Sequence, residues 1–229
     1  MRHSTVESSS GSRRAVLLFF LFLFGVAMAY FEAAIVVYLR QLYYPEGFDF
    51  PLKVMENHIL LVEIGREAAS IVMLLAVALI AGRSFYERFA FFAIIFALWD
   101  IFYYIWLKVL LGWPEGLFNW DILFLIPMPW IAPVLSPVIV SFCLIIGAAL
   151  ILKRLWSGGV FAPNFREWAI AVGGAFLILL SYTVDQDAAR VLAMPKPYRW
   201  ELLAVGVAAA FYALARCLIR TRKGEKPLE

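Results

Sequence analysis

The chain has 229 residues, of which 64% are hydrophobic, 17% aromatic and only 16% charged, against roughly 45–50% apolar and about 25% charged in an average soluble domain. A water-soluble fold of this size could not hide so much apolar surface, so the composition excludes an ordinary soluble protein and points to the membrane. The net charge of +3 is small and the basic residues stand at the ends of apolar segments, which argues against nucleic acid as a partner.

Residues 1–14 are polar and Ser-rich and are expected to form a mobile tail that ends in Arg13 and Arg14. An apolar run follows from Ala15 to Phe31. It carries Ala27-Met28-Ala29 near its end, so a cleaved signal peptide is the rival reading. The apolar pattern resumes after Glu32 through Leu39, which is long enough to cross a ~30 Å core and favours a retained first span. The second span is expected from about His58 to Gly82 and the third from about Phe89 to Gly112.

From Ile122 to Leu152 there are 31 consecutive uncharged residues, about 46 Å as one straight helix and too long for a ~30 Å core. Pro127, Pro129, Pro133 and Pro137 break it, because each lacks an N–H and disfavours helix in the residue before it. Residues 114–133 are therefore expected to form an interfacial or re-entrant segment that leads into a fourth span from about Val134 to Leu152. The fifth span is expected from about Trp168 to Val184, and the sixth from about Trp200 to Leu218. Cys143 and Cys217 each lie inside an apolar stretch and read as small packing residues. Gly25 and Ala29, Gly173 and Gly174, and Gly206 and Ala210 read as points of close helix contact.

The fold class expected is thus all-α, a polytopic membrane bundle of about six transmembrane helices with a proline-broken segment before the fourth. It divides into a cytoplasmic tail (1–14), one helix-bundle domain (15–219) and a basic cytoplasmic tail (220–229). With the N-terminus inside, 13 basic residues fall on the cytoplasmic side: Arg2, Arg13, Arg14, Arg83, Arg88, Lys153, Arg154, Arg166, Arg216, Arg220, Arg222, Lys223 and Lys226. Six fall outside: Arg40, Lys53, Lys108, Arg190, Lys196 and Arg199. The positive-inside rule then puts both termini in the cytoplasm. Trp156 and Trp168 would mark the inner interface, and Trp113, Trp120 and Trp200 the outer one.

Charged residues within spans carry the functional expectation, since each costs about 2.5–3.5 kcal/mol at mid-bilayer on insertion scales. Glu63, Arg66 and Glu67 stand at i, i+3 and i+4 on one face of the second helix, where the guanidinium can bridge two carboxylates. Asp100, Tyr104 and Lys108 stack at i, i+4 and i+8 on the third, and Glu32 approaches the midplane from the first. The three helices are expected to converge on one polar core in the outer half. Four acids face only Arg66 and Lys108 there, which suggests a proton-sharing carboxyl. Glu67 and Asp100 are the candidate acid–base pair. Glu32, Glu63, Arg66, Tyr104, Lys108, Trp120 and Asp121 are the candidate binding residues. The alternative is a set of neutralised pairs that lock helix packing, with Lys108 snorkelling to the interface.

Other chemistries find little support. His58 is the only histidine outside the N-terminal tail, which disfavours two-histidine haem ligation or a His-rich zinc site within one chain. A carboxylate metal site at Glu63 and Glu67 with His58 would be opposed by Arg66. No phosphate-binding loop, nucleophile elbow or HExxH is present, and no cofactor is named by the sequence.

The strings EIGREAA, WDIFYYIWLK and WDILFLIPMPW, within roughly residues 60–135, resemble those of uncharacterised bacterial multi-pass membrane proteins. The resemblance implies a bacterial inner-membrane location and no activity. Three function classes follow. One is a membrane-embedded acid–base enzyme acting on a lipophilic small molecule from the outer leaflet, with the proline-broken segment as a lid. A proton-coupled transporter is the second, although no inverted repeat is visible. The third is a non-catalytic subunit that partners other membrane subunits. Membrane lipid is a partner in all three.

Overall fold

The computed structural model describes residues 2–184, 193 and 195–222, with side-chain surroundings for 11–184, 193 and 195–221. The chain folds into α1 (Arg2–Tyr43), α2 (Asn57–Ala81), α3 (Phe85–Leu111), β1 (Trp120–Phe124), β2 (Trp130–Pro133), α4 (Leu135–Trp156), α5 (Phe165–Thr183) and α6 (Trp200–Arg222). Among the described residues these six helices are long and apolar enough to cross a membrane. The protein is a multi-pass membrane protein. Large apolar side chains such as Phe20, Ile80 and Phe165 are exposed, as expected where the surrounding medium is lipid. Arg190, Lys223 and Lys226 lie outside the described residues.

Local chemistry sets the helix ends. Ser84 accepts the Glu87 N–H at 3.2 Å at the start of α3, and Gly112 ends that helix in the left-handed region at φ 69°. Asn164 and Glu167 form a reciprocal capping box at the start of α5.

The proline-broken segment is an antiparallel β-hairpin that pairs Asp121 with Ala132 and Ile122 with Ile131, with a bulge between Ile122 and Phe124. Its strands are aromatic and β-branched. Pro127 and Pro129 fall in the loop between them, where the missing N–H breaks no strand pairing. The strands add a small β element to the expected helical bundle and complete the connection into α4.

Helix α3 is the centre of the bundle, with α1, α2 and α4 packed around it. It buries Ala90, Phe91, Ala93, Ile95 and Ala97, a mixture of small and large side chains that lets neighbours approach on several sides. Helices α5 and α6 form a second pair. A Cβ on Gly174 would lie 2.6 Å from the Gly206 carbonyl oxygen, and one on Gly206 would lie 2.7 Å from that of Gly174. The two backbones therefore touch, as small residues allow in membranes. Gly25 of α1 likewise meets Leu98, whereas Gly173 has no neighbour within 4 Å. The α5–α6 pair meets the rest of the bundle through α4 against α6 and β2 against α5.

Candidate functional site

The polar residues gather at the end of the bundle that bears the hairpin. On α2 the buried residues Glu63, Glu67, Ser70, Leu74 and Ala78 form one stripe, which changes from polar to apolar halfway along the helix. Arg66 projects beside that stripe and forms an ion pair with Glu32 of α1, a residue only 1% exposed. Its Nη2 also lies 2.8 Å from Glu63 Oε2, and the Ser70 hydroxyl donates to the other oxygen of Glu32 at 2.6 Å. Arg66 thus bridges Glu63 and Glu32. The expected partner Glu67 is engaged elsewhere, accepting the Leu125 N–H of the hairpin at 2.8 Å.

Asp100 turns toward α4, where it accepts the Ser141 hydroxyl at 2.8 Å. It is partly exposed. Asp121 of β1 pairs with Arg40 of α1 at 3.2 Å, and both are buried. The Arg40 guanidinium lies 3.7 Å from the Trp113 ring centre and 4.2 Å from that of Phe48, which compensates part of its lost hydration. Burial pushes the Asp121 carboxyl up to about 6, against the opposing pull of Arg40. Tyr104 is buried in electrostatic range of Asp121. Lys108 donates to the carbonyls of Gly112 and Pro114 at 2.9 and 2.8 Å and so closes the end of α3. Trp120 packs against the Tyr198 ring at 6.2 Å.

The single expected pocket resolves into three neighbouring polar groups. One is Glu32–Arg66–Glu63, the second is Asp121–Arg40, and the third is Asp100–Ser141. Tyr103 stands among them, within electrostatic range of Arg40, Arg66, Asp100 and Asp121. Glu67 and Asp100 share no bonding partner. Phe124 and Trp130 of the hairpin link two helices in an aromatic run, with Trp99 of α3 against Phe124, Phe124 against Trp130, and Trp130 stacked on Tyr182 of α5 at 6.1 Å.

Reasoning from sequence missed Arg40 as a buried partner, reading it as an outer-side charge, and placed Trp113 at an interface although it is buried beneath that guanidinium. It also missed Ser70, Ser141 and Tyr103. Ser70 carried a signal, since it stands at i+3 and i+7 from Glu67 and Glu63 on the same face. Glu167, which accepts from Arg220 at 3.0 and 2.9 Å, was legible as the fourth residue of an Asn-x-x-Glu helix start. His58 is exposed and lies 3.3 Å from Glu56. Among the described residues no group of three or more His, Cys, Asp or Glu is placed to hold a metal.

Comparison with protein-family models, with curated proteins and with solved structures finds no match to this chain.

Proposed function

We propose that the protein acts within the membrane on a lipophilic small molecule by acid–base chemistry, with Asp100 as the proton-exchanging group and Glu67 as the second acid. One observation carries this reading. Of the four acids in the hairpin-side halves of α1, α2 and α3, Glu32 and Glu63 are held by Arg66, whereas Glu67 and Asp100 make no ion pair among the described residues. A carboxyl without a cation is costly to hold in a membrane and marks a functional group by default. Glu67 also anchors the hairpin by accepting the Leu125 N–H.

The basic-residue asymmetry supports an orientation with both termini cytoplasmic and the hairpin on the outer side. The test compares Asp100→Asn and Glu67→Gln with the unmodified chain in a deletion strain and as purified protein. Asp100→Asn is expected to stay folded and to lose activity by about 10²-fold or more, the usual contribution of a general acid or base. If both variants are folded and fully active, the acids are packing elements and the non-catalytic subunit is the better reading.

A further inference from the structure

At the end of the bundle opposite the hairpin, a groove is lined by α1, α3 and α4. Its apolar part is formed by Leu18 of α1, Ile94 of α3 and Ala149 and Leu152 of α4, and its mouth by Lys153 and Trp156 at the end of α4. The mouth lies where the apolar spans give way to polar chain. Lys153 is the first charged residue after Asp121, and Arg14 directly precedes the apolar run of α1. Trp156, an apolar ring with one N–H donor, is a side chain that favours this boundary.

Arg14 stands four residues before Leu18 and so on the same face of α1. Its guanidinium lies 5.1 Å from the Trp156 ring centre, and its Nη1 donates to the Trp156 carbonyl at 3.3 Å. Two cations from different helices therefore flank the mouth. Lys153 is exposed, and neither it nor Arg14 makes an ion pair among the described residues. The acid beside them, Glu87, has both oxygens occupied, one by the Trp156 Nε1–H at 2.9 Å and the other by the Arg83 N–H at 2.8 Å. Arg154, the next cation on α4, is turned to the carbonyls of Val160 and Thr221. With Arg13, Arg83 and Arg88 at the same end of the bundle, the charge around the mouth is net positive.

We infer that this groove holds an anionic phospholipid, with one acyl chain along Leu18, Ile94 and Ala149 and the phosphate between Lys153 and Arg14. The apolar lining favours a lipid over a soluble anion, which has nothing to place there. The two cations favour a net-negative head group over a zwitterionic one, which brings its own cation to the same place. Basic pockets between transmembrane helices take anionic head groups on this ground. The inference is independent of the acid–base reading, since Asp100 and Glu67 lie toward the other end of the bundle.

The experiment uses the full chain in phosphatidylcholine nanodiscs that contain a little phosphatidylglycerol with a diazirine on one acyl chain. A parallel sample carries the same label on phosphatidylcholine, and crosslinked peptides are mapped by mass spectrometry. Phosphatidylglycerol is expected to label α1 around Leu18 and α4 around Ala149 in excess over phosphatidylcholine, and unlabelled phosphatidylglycerol should displace it. Lys153→Gln should cut that excess about fivefold, the effect of one cation at a charged membrane surface, and Lys153→Arg should keep it. Ala149→Trp, which fills the groove at an exposed lining position, should abolish it. Arg216→Gln removes an exposed cation at the same end of α6 and should leave it unchanged. Equal labelling by the two lipids, or a preference that survives Lys153→Gln combined with Arg14→Gln, overturns the site. An equal loss in Arg216→Gln also overturns it, because the preference would then belong to the overall surface charge.

Discussion

Arg66 sits between acids on two helices, and that position decides what its removal does. Replacing it with Met leaves Glu32 and Glu63 buried without their cation, which should cost about 3–5 kcal/mol of stability, the range for breaking one side of a buried pair. Denaturant titration in detergent checks this, and a loss below about 1 kcal/mol would show that the pair is solvated. Glu67 separates positioning from chemistry. A Gln there still offers an oxygen to the Leu125 N–H, whereas Leu offers none, so only Glu67→Leu should expose the hairpin to proteolysis. Equal protection in both variants would mean that Glu67 does not anchor it. These partners were half legible. The i, i+3, i+4 spacing showed which face of α2 is polar and that Arg66 could pair with Glu63, but spacing within one helix says nothing about Glu32, 34 residues earlier, so that second partner of Arg66 was not legible.

At the scale of elements, the α5–α6 contact depends on two glycines whose backbones touch. Gly206→Val places a branched side chain where a Cβ already meets the Gly174 carbonyl at 2.7 Å. Overpacking of about 1–3 kcal/mol or more is expected, read as a lower thermal midpoint in detergent. Gly173→Val, facing open space, should leave that midpoint within the range of an exposed substitution and serves as the control. The helices themselves were plain from the sequence because each is a long apolar run bounded by polar or capping residues. The hairpin was harder to foresee. Its prolines announced a break in helix, but strand pairing depends on contacts between residues a dozen apart and on Glu67 from another helix, which no local pattern contains.

At the scale of the whole molecule, the six membrane-length helices among the described residues are an even number of crossings, and the proposed topology places both ends in the cytoplasm under the positive-inside rule. Reporter fusions after Arg13 and after Glu229 should both be active only for a cytoplasmic reporter; activity of a periplasm-specific reporter at either end would overturn the orientation. The ion pair between α1 and α2 has a further consequence for the order in which the chain enters the bilayer. During synthesis Glu32 emerges well before Arg66, so α1 first meets the translocon carrying an uncompensated acid worth about 2.5–3.5 kcal/mol against release near the helix centre. The first helix should therefore linger at the exit site until the second arrives and the two partition as a hairpin. Chains stopped after residue 55 should integrate poorly and gain from Glu32→Leu, while chains stopped after residue 84, with Arg66 in place, should integrate well without it.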